Sequence, residues 1–120
     1  MRYVIIIIDK YLLQYKGRDN IMETKFTIYL GLNDKDTKQQ EITTLNAYKI
    51  AVNIIGDCSI SELTGYYTHN NNEIVIEKSL KIEVFGKSEN DIKAIAEQLK
   101  TTFNQECVII QKQVVDSLFI

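Results

Sequence analysis

The sequence predicts an α+β fold in which one antiparallel sheet carries two helices. Four segments alternate apolar and polar residues with the period of two that is typical of strands, and two segments repeat apolar residues at helical spacing. Capping and turn residues separate these segments in the order β-α-β-β-α-β. In this order both helices cover the same face of the sheet.

The first core strand and the first helix lie between residues 26 and 56. The strand has an apolar residue at every second position: Phe26, Ile28, Leu30 and Leu32. After the polar loop "NDKDTKQQE", Thr43 or Thr44 can accept hydrogen bonds from the free N–H groups of a helix start. The apolar face of this helix is expected to consist of Leu45, Tyr48, Val52 and Ile55. Gly56 is expected to end it.

The segments "CSISELTGYYTH" and "EIVIEKSLKIEVFG" predict a long β-hairpin. Between them, residues 70–72 are all Asn, which tolerates the left-handed backbone of a tight turn. Within the second strand the register from Ile74 to Val84 is more apolar than the register from Val75 to Phe85.

The second helix is predicted to begin at Ser88, with Asp91 completing a capping box. Its apolar stripe consists of Ile92, Ile95, Ala96, Leu99 and Phe103. Asn104 is suited to end the helix, and "CVIIQKQVV" supplies the last strand. The complete order is the split βαβ arrangement of ferredoxin-like domains, with a four-stranded antiparallel sheet and two helices on one face.

The chain is expected to form a single domain over residues 1–120. It is 120 residues long, contains no proline and has no low-complexity linker. Residues 1–21 are interpreted as an N-terminal extension with an extra strand or helix, and residues 22–120 as the ferredoxin-like core. The codons for residues 16–18 can resemble a ribosome-binding sequence, so Met22 is a candidate start of translation.

Composition argues against several classes of function. The net charge of −2 does not favour binding to duplex nucleic acid, which requires a concentrated basic face. The apolar run "YVIIII" is too short to span a bilayer, so no membrane association is expected. Cys58 and Cys107 lack the spacing of a metal site and are interpreted as small core residues. No metal and no cofactor is predicted.

The second face of the sheet predicts self-association. Two helices cover only one face of four strands, and neither register of the hairpin is cleanly polar. A homo-oligomer, a dimer or larger, would bury the remaining face. In the alternative, the chain is a monomer and its N-terminal segment covers that face.

No motif for catalysis is present. The chain lacks GxGxxG, a P-loop, GxSxG, HExxH and paired cysteine ligands. The hairpin carboxylates are interpreted as a solvated face and not as an acid–base pair: Glu62, Glu73, Glu77 and Glu83. Asn33, Asp34 and Asp36 offer oxygen atoms but lack the glycine and terminal glutamate of a calcium loop. The sequence therefore favours a binding protein with no catalytic residues.

Aromatic, amide and basic side chains suggest a nucleotide as the ligand. Aromatic rings stack on bases, amides hydrogen-bond base edges or ribose, and lysines neutralise phosphate. The candidate ligand-binding residues are Lys25, Tyr29, Tyr66, Tyr67, Lys78, Phe103, Asn104, Gln105 and Lys112. For each of them the simpler alternative is a structural or solvated side chain.

Three stretches, in this order, carry a resemblance to a known family: "FTIYLGLNDKDTKQQEI", "TGYYTHNNNEIVIEKSLKIEVFG" and "FNQECVIIQKQ". The chain after Met22 resembles small ferredoxin-like bacterial and phage proteins, and among them the phage anti-Thoeris sponges that sequester cyclic ADP-ribose signals. The resemblance implies an oligomer that binds a glycocyclic ADP-ribose isomer intact, in the cytoplasm of the infected or lysogenic bacterium. Arg2 and Arg18 are the only arginines, so phosphate binding would fall to lysines, backbone N–H groups or the N-terminal segment.

Two alternatives remain open from the sequence. One is a protein–protein inhibitor or adaptor that docks a host protein through its sheet face or an edge strand. The other is a small hydrolase that acts on the same nucleotide signal. A sponge releases its ligand unchanged on denaturation, whereas a hydrolase does not.

Overall fold

The computed structural model describes residues 4–8, 11–15, 20–68 and 70–120. The elements in chain order are β1 (Val4–Ile8), β2 (Tyr11–Tyr15), β3 (Asn20–Gly31), α1 (Thr44–Ile55), β4 (Ser59–Thr68), β5 (Ile74–Phe85), α2 (Glu89–Thr102) and β6 (Ile109–Leu118). The strands β1 and β2 pair with each other in a separate antiparallel sheet. The predicted division at residue 22 stays a prediction, and β3 already begins at Asn20.

The main sheet has the strand order β4-β5-β3-β6, and all neighbouring strands are antiparallel. In chain order α1 follows β3 and α2 follows β5. The predicted β-α-β-β-α-β fold of ferredoxin-like type is therefore confirmed. β3 lies in the interior of the sheet, between β5 and β6. It pairs with β6 as far as Tyr29 and with β5 as far as Gly31, and a cavity forms at this end.

The helix-side face of the sheet consists of the even-numbered residues of its four strands. Its central residues on β3 and β5 are almost fully buried: Phe26, Ile28, Leu30, Leu80, Ile82 and Val84. They pack in one core with three residues of the predicted stripe, which lie on α2 and at its C-terminal cap: Ile92, Leu99 and Phe103. Their burial removes the part of the more apolar β5 register from Leu80 onward from water, and it provides the main driving force for folding.

The predicted apolar face of α1 is partly wrong. Ala47, Ala51 and Ile55 are its buried residues, whereas Leu45 is 63% exposed and Val52 is 48% exposed. The small alanine side chains allow the helix backbone to lie close to the sheet, where a face of large residues would hold it away. The caps agree with prediction, because Thr43 accepts a hydrogen bond from Asn46 N–H and the helix ends at Gly56.

The helix-side face extends beyond the helices at the outer end of the β4–β5 hairpin. Tyr66, Ile74 and Ile76 lie there with 60–70% of their surface exposed. Asn72 adopts φ of 64° in the turn, as predicted for this run of asparagines. The expected homo-oligomer stays a prediction. Within the described residues, no helix has both the length and the apolar character needed to cross a membrane.

The open face of the sheet consists of the odd-numbered residues of its four strands. On it the ammonium group of Lys25 lies 2.9 Å from the carboxylate of Glu83, joining β3 to β5. The hydrogen bond from Lys25 lowers the pKa of Glu83 below its ordinary value of 4.5. Both side chains are only partly buried, so water screens much of this attraction.

Substitution of Leu80 by Ala tests the assignment of the core. Leu80 is 0% exposed, so the variant leaves a cavity and should lower the free energy of unfolding by about 2–5 kcal/mol. Leu45→Ala, on the exposed side of α1, should change it by less than about 0.5 kcal/mol. Urea unfolding followed by circular dichroism measures both, and equal losses would contradict the packing described.

The Lys25–Glu83 pair should stabilise the fold only above acidic pH. Because folding lowers the pKa of Glu83, its contribution is present above the unfolded value of 4.5 and is lost as the pH falls through the folded value. Glu83→Gln should therefore reduce stability by up to about 1 kcal/mol at pH 7, and by progressively less below pH 4.5. Urea unfolding from pH 7 to pH 3 measures this, and a pH-independent difference would rule out the ion pair as its cause.

Candidate active site

A cavity of about 340 Å³ opens on the open face, at the C-terminal end of β3. Its walls come from β3, β4, β5, the loop after β3 and the segment that joins α2 to β6. Its lining includes Tyr29, Gly31, Asn33, Tyr67, Glu77 and Gln105. The volume lies within the range of small-molecule sites.

Glu77 contributes a carboxylate to this cavity. Its side chain lies diagonally across the sheet, so that a Cβ atom on Gly31 would come within 2.8 Å of the Glu77 carboxyl atoms. The backbone N–H of Asn33 donates a hydrogen bond of 2.9 Å to Glu77 Oε2. Gly31 therefore provides the space that Glu77 occupies, and Asn33 fixes the direction of the carboxylate.

A second glycine gives Tyr67 its position. Gly65 lies directly opposite Glu77 in the β4–β5 register. The ring of Tyr67 folds back over it, and a Cβ atom on Gly65 would lie 2.8 Å from the Tyr67 hydroxyl. Tyr67 is 51% exposed, so one side of the ring is open to a ligand. A carboxylate and an aromatic ring thus border the same cavity, a combination suited to an organic cation.

The loop after β3 is held to the end of α2. Lys35 N–H donates to the carbonyl of Asn104, which adopts φ of 49° just beyond the helix. The Asn104 amide donates to Asp34 at 3.0 Å and to Asp36 at 2.8 Å. Chiefly through Asn104, with help from the N–H groups of Thr37 and Asp36, the pKa of Asp34 is held below its ordinary value. These contacts give the cavity a fixed wall.

Charges of both signs line the cavity. Asp34, Glu77 and Glu106 bring carboxylates, and Lys35 and Lys38 bring ammonium groups. Carboxylates are thus in slight excess. Such a wall complements a small molecule that carries charges of both signs and one net positive charge.

The structure separates the candidate ligand residues into two groups. Tyr29, Tyr67 and Gln105 line the cavity. Lys25 and Lys78 are ion-paired with Glu83 and Glu62, and Phe103 is buried in the core. Tyr66 and Lys112 lie on the helix-side face, opposite Ile76 and Phe26 respectively, and Asn104 holds the loop. A ligand role stays proposed for Tyr29 and Tyr67, whereas the amide nitrogen of Gln105 already donates to two backbone carbonyls.

Sequence reasoning missed the contributions of Gly31, Asn33 and Glu77. A glycine inside a strand pattern often marks a close approach by another group, so Gly31 indicated that some side chain lies over it. The sequence did not identify that side chain, because Glu77 reaches Gly31 from β5 and the pairing register of β3 with β5 was not known. Cys107 was also misinterpreted, since it is exposed beside the cavity rather than part of the core.

Comparison with solved structures identifies the same fold in a phage SAM lyase. A phage SAM lyase in complex with S-methyl-5′-thioadenosine matches with a TM-score of 0.60 and 24% identity, covering 81% of this chain and 90% of that chain. A phage SAM lyase in the apo state matches with a TM-score of 0.58 and 24% identity, covering 82% and 90%. At this identity the likeness concerns the fold. No curated protein matches the chain.

The sequence model of the S-adenosylmethionine lyase family matches residues 30–120. This match contradicts the expected function as a sponge for cyclic ADP-ribose, the alternative of a protein adaptor, and the expectation that the chain is not an enzyme. Small ferredoxin-like proteins share strand patterns, so the resemblance indicated the wrong ligand, and the absence of GxGxxG, P-loop, GxSxG and HExxH motifs does not exclude a lyase. The chain belongs to the S-adenosylmethionine lyase family.

Proposed function

We propose that the protein is a lyase that cleaves S-adenosylmethionine and releases S-methyl-5′-thioadenosine in the cavity beside Glu77. The family match supports the reaction class. A solved phage lyase of the same fold holds S-methyl-5′-thioadenosine. The observation in this chain that carries the proposal is the Glu77 carboxylate, seated over Gly31 and oriented by Asn33 N–H in a cavity large enough for a small molecule.

The charges of the substrate fit the charges of the cavity. S-Adenosylmethionine carries a sulfonium and an ammonium group against one carboxylate, so it has one net positive charge. The cavity carries an excess of carboxylates, with Lys35 and Lys38 available for the substrate carboxylate. The face of Tyr67 is available for the sulfonium or the adenine ring.

The reaction needs no proton transfer and no water. The substrate carboxylate attacks its own Cγ, the Cγ–S bond breaks, and the electron pair of that bond neutralises the sulfonium. The products are S-methyl-5′-thioadenosine and a four-carbon lactone, homoserine lactone. The nucleophile is already anionic and the leaving group already cationic, so the protein needs only to hold the substrate in the reactive conformation.

The most effective partner for Glu77 is the substrate ammonium group. Positive charge on sulfur is lost in the transition state, so a carboxylate beside the sulfonium would stabilise the ground state more than the transition state. The ammonium keeps its charge throughout the reaction. Glu77 can therefore bind it without raising the barrier, while fixing the end of the substrate that carries the nucleophile.

The biological role proposed is counter-defence by a phage. Solved lyases with this fold come from phages. Host defences that depend on methylation consume S-adenosylmethionine, so its removal would deprive them of their methyl donor. An enzyme with this substrate would act in the cytoplasm of the infected bacterium.

Incubation with S-adenosylmethionine tests the reaction. S-Methyl-5′-thioadenosine should form in an amount equal to the substrate lost, as measured by liquid chromatography. Homoserine lactone should be the first four-carbon product detected by NMR. Failure of the folded protein to consume the substrate would refute the proposed function. Homoserine as the first product would instead indicate hydrolysis by water.

Substitution of Glu77 by Gln tests the role of its carboxylate. The loss of one charged interaction should lower kcat/KM roughly 10–100-fold. Glu62→Gln is the matched control, since Glu62 lies on the adjacent strand β4 but pairs with Lys78 outside the cavity. Its kcat/KM should stay within about twofold of wild type. Equal effects of the two variants would remove Glu77 from the site.

Substitution of Gly31 by Ala tests the space below Glu77 without changing any charge. The new methyl group would meet the carboxylate at 2.8 Å and displace it from Asn33 N–H, so kcat/KM should fall roughly tenfold. Ser61→Ala, on the open face of β4, is the control, and its kcat/KM should stay near that of wild type. Full activity of Gly31→Ala, at unchanged melting temperature, would contradict the geometry.

A further inference from the structure

Gln105 is a buried polar residue with an unusual pair of partners. It follows α2, is 8% exposed and lines the cavity. Its Nε2 donates to the carbonyl of Asn33 at 2.7 Å and to the carbonyl of Phe103 at 3.2 Å. Two carbonyl partners use both N–H bonds of the amide, so Nε2 has no donor left for a ligand.

Asn33 connects Gln105 to Glu77. Its carbonyl accepts from Gln105, and its backbone N–H donates to Glu77 Oε2 at 2.9 Å. The preceding residue, Leu32, still continues the sheet by donating its N–H to the carbonyl of Lys78. The chain therefore leaves the sheet at Asn33, and Gln105 donates to the Asn33 carbonyl, which faces the loop.

We infer that Gln105 is a positioning residue, which holds the Asn33 backbone so that its N–H keeps the Glu77 carboxylate over Gly31. The inference rests on the proposed function for its effect on activity. It assigns to Gln105 a role through Asn33 instead of the direct contact with a ligand that its amide suggested. Without Gln105, the Asn33–Asp34 peptide loses one of its two hydrogen bonds, so Asn33 can shift. The hydrogen bond to Glu77 from the Asn33 N–H, which belongs to the preceding peptide, then lengthens.

The loop has independent anchors, so loss of Gln105 need not unfold it. Lys35 N–H still bonds to the carbonyl of Asn104, and Asp34 N–H still bonds to the carbonyl of Gln39. The Asp34 bond holds the N–H side of the peptide whose carbonyl Gln105 holds, and neither anchor touches Glu77. A variant at Gln105 should therefore release the Asn33 carbonyl and let Asn33 shift while the loop stays attached.

The first test is spectroscopic and does not depend on activity. A charge-assisted hydrogen bond moves an amide proton downfield, so the Asn33 signal in the ¹H–¹⁵N spectrum reports its contact with Glu77. In Gln105→Met, which keeps the length of the side chain without its donors, this signal should move upfield and exchange faster. Gln105→Leu serves the same purpose if the Met variant does not fold. An unchanged Asn33 signal would overturn the inference.

The second test is a double-mutant cycle on cleavage of S-adenosylmethionine. Gln105→Met should lower kcat/KM roughly tenfold in the wild-type background, but by less than about twofold in the Glu77→Gln background. A residue that only stabilises the fold would cause the same loss in both backgrounds, and this result would overturn the inference. Thr37→Ala is the control, because it removes a hydroxyl that bonds to Glu41 and Gln39 in the same loop and does not contact Asn33.

The two tests separate this inference from the proposed function. If the wild-type protein does not cleave S-adenosylmethionine, the proposed function fails. The Asn33 signal still decides whether Gln105 controls the contact between Asn33 and Glu77. An upfield shift in the Gln105 variants supports the positioning role, and its absence refutes that role.

Discussion

The site depends on one hydrogen bond, from Asn33 N–H to the carboxylate of Glu77. This bond can form because Gly31 leaves room for the Glu77 side chain to cross from β5 over β3. It also requires the backbone to leave the strand at Asn33, where Gln105 holds the carbonyl. A carboxylate that would be an ordinary solvated group on a strand thereby acquires a fixed direction, and fixed charges are what a binding site for a cation requires.

The core and the site use opposite faces of the same strands. On β5, Leu80 and Ile82 are buried under the helices, while Glu77 and Ser79 belong to the cavity on the open face. Packing of the even-numbered residues fixes the register, and the register decides which side chain lies over which glycine. A rigid sheet is thus a precise support for a reaction that depends on holding its substrate in one conformation.

Local chemistry was sufficient to predict the elements but not the site. The caps at Thr43 and Ser88 and the turn at Asn72 are encoded by adjacent residues, so the sequence revealed them. The buried face of α1 was misjudged because close approach at Ala47 and Ala51 outweighs the greater hydrophobicity of Leu45 and Val52. Glu77 was interpreted as a surface charge because the two residues that fix its side chain, Gly31 and Asn33, lie more than forty positions away in the chain. Resemblance of strand patterns then indicated the wrong ligand, since the fold alone does not determine chemistry.

A crystal structure of the protein with S-methyl-5′-thioadenosine would show directly where the product lies. The product is expected in the cavity with its adenine ring against an aromatic side chain. The Glu77 carboxylate should still be bonded to Asn33 N–H and lie away from the thioether, where the substrate ammonium group would be held. Product bound on another surface, with this cavity empty, would contradict the proposed site.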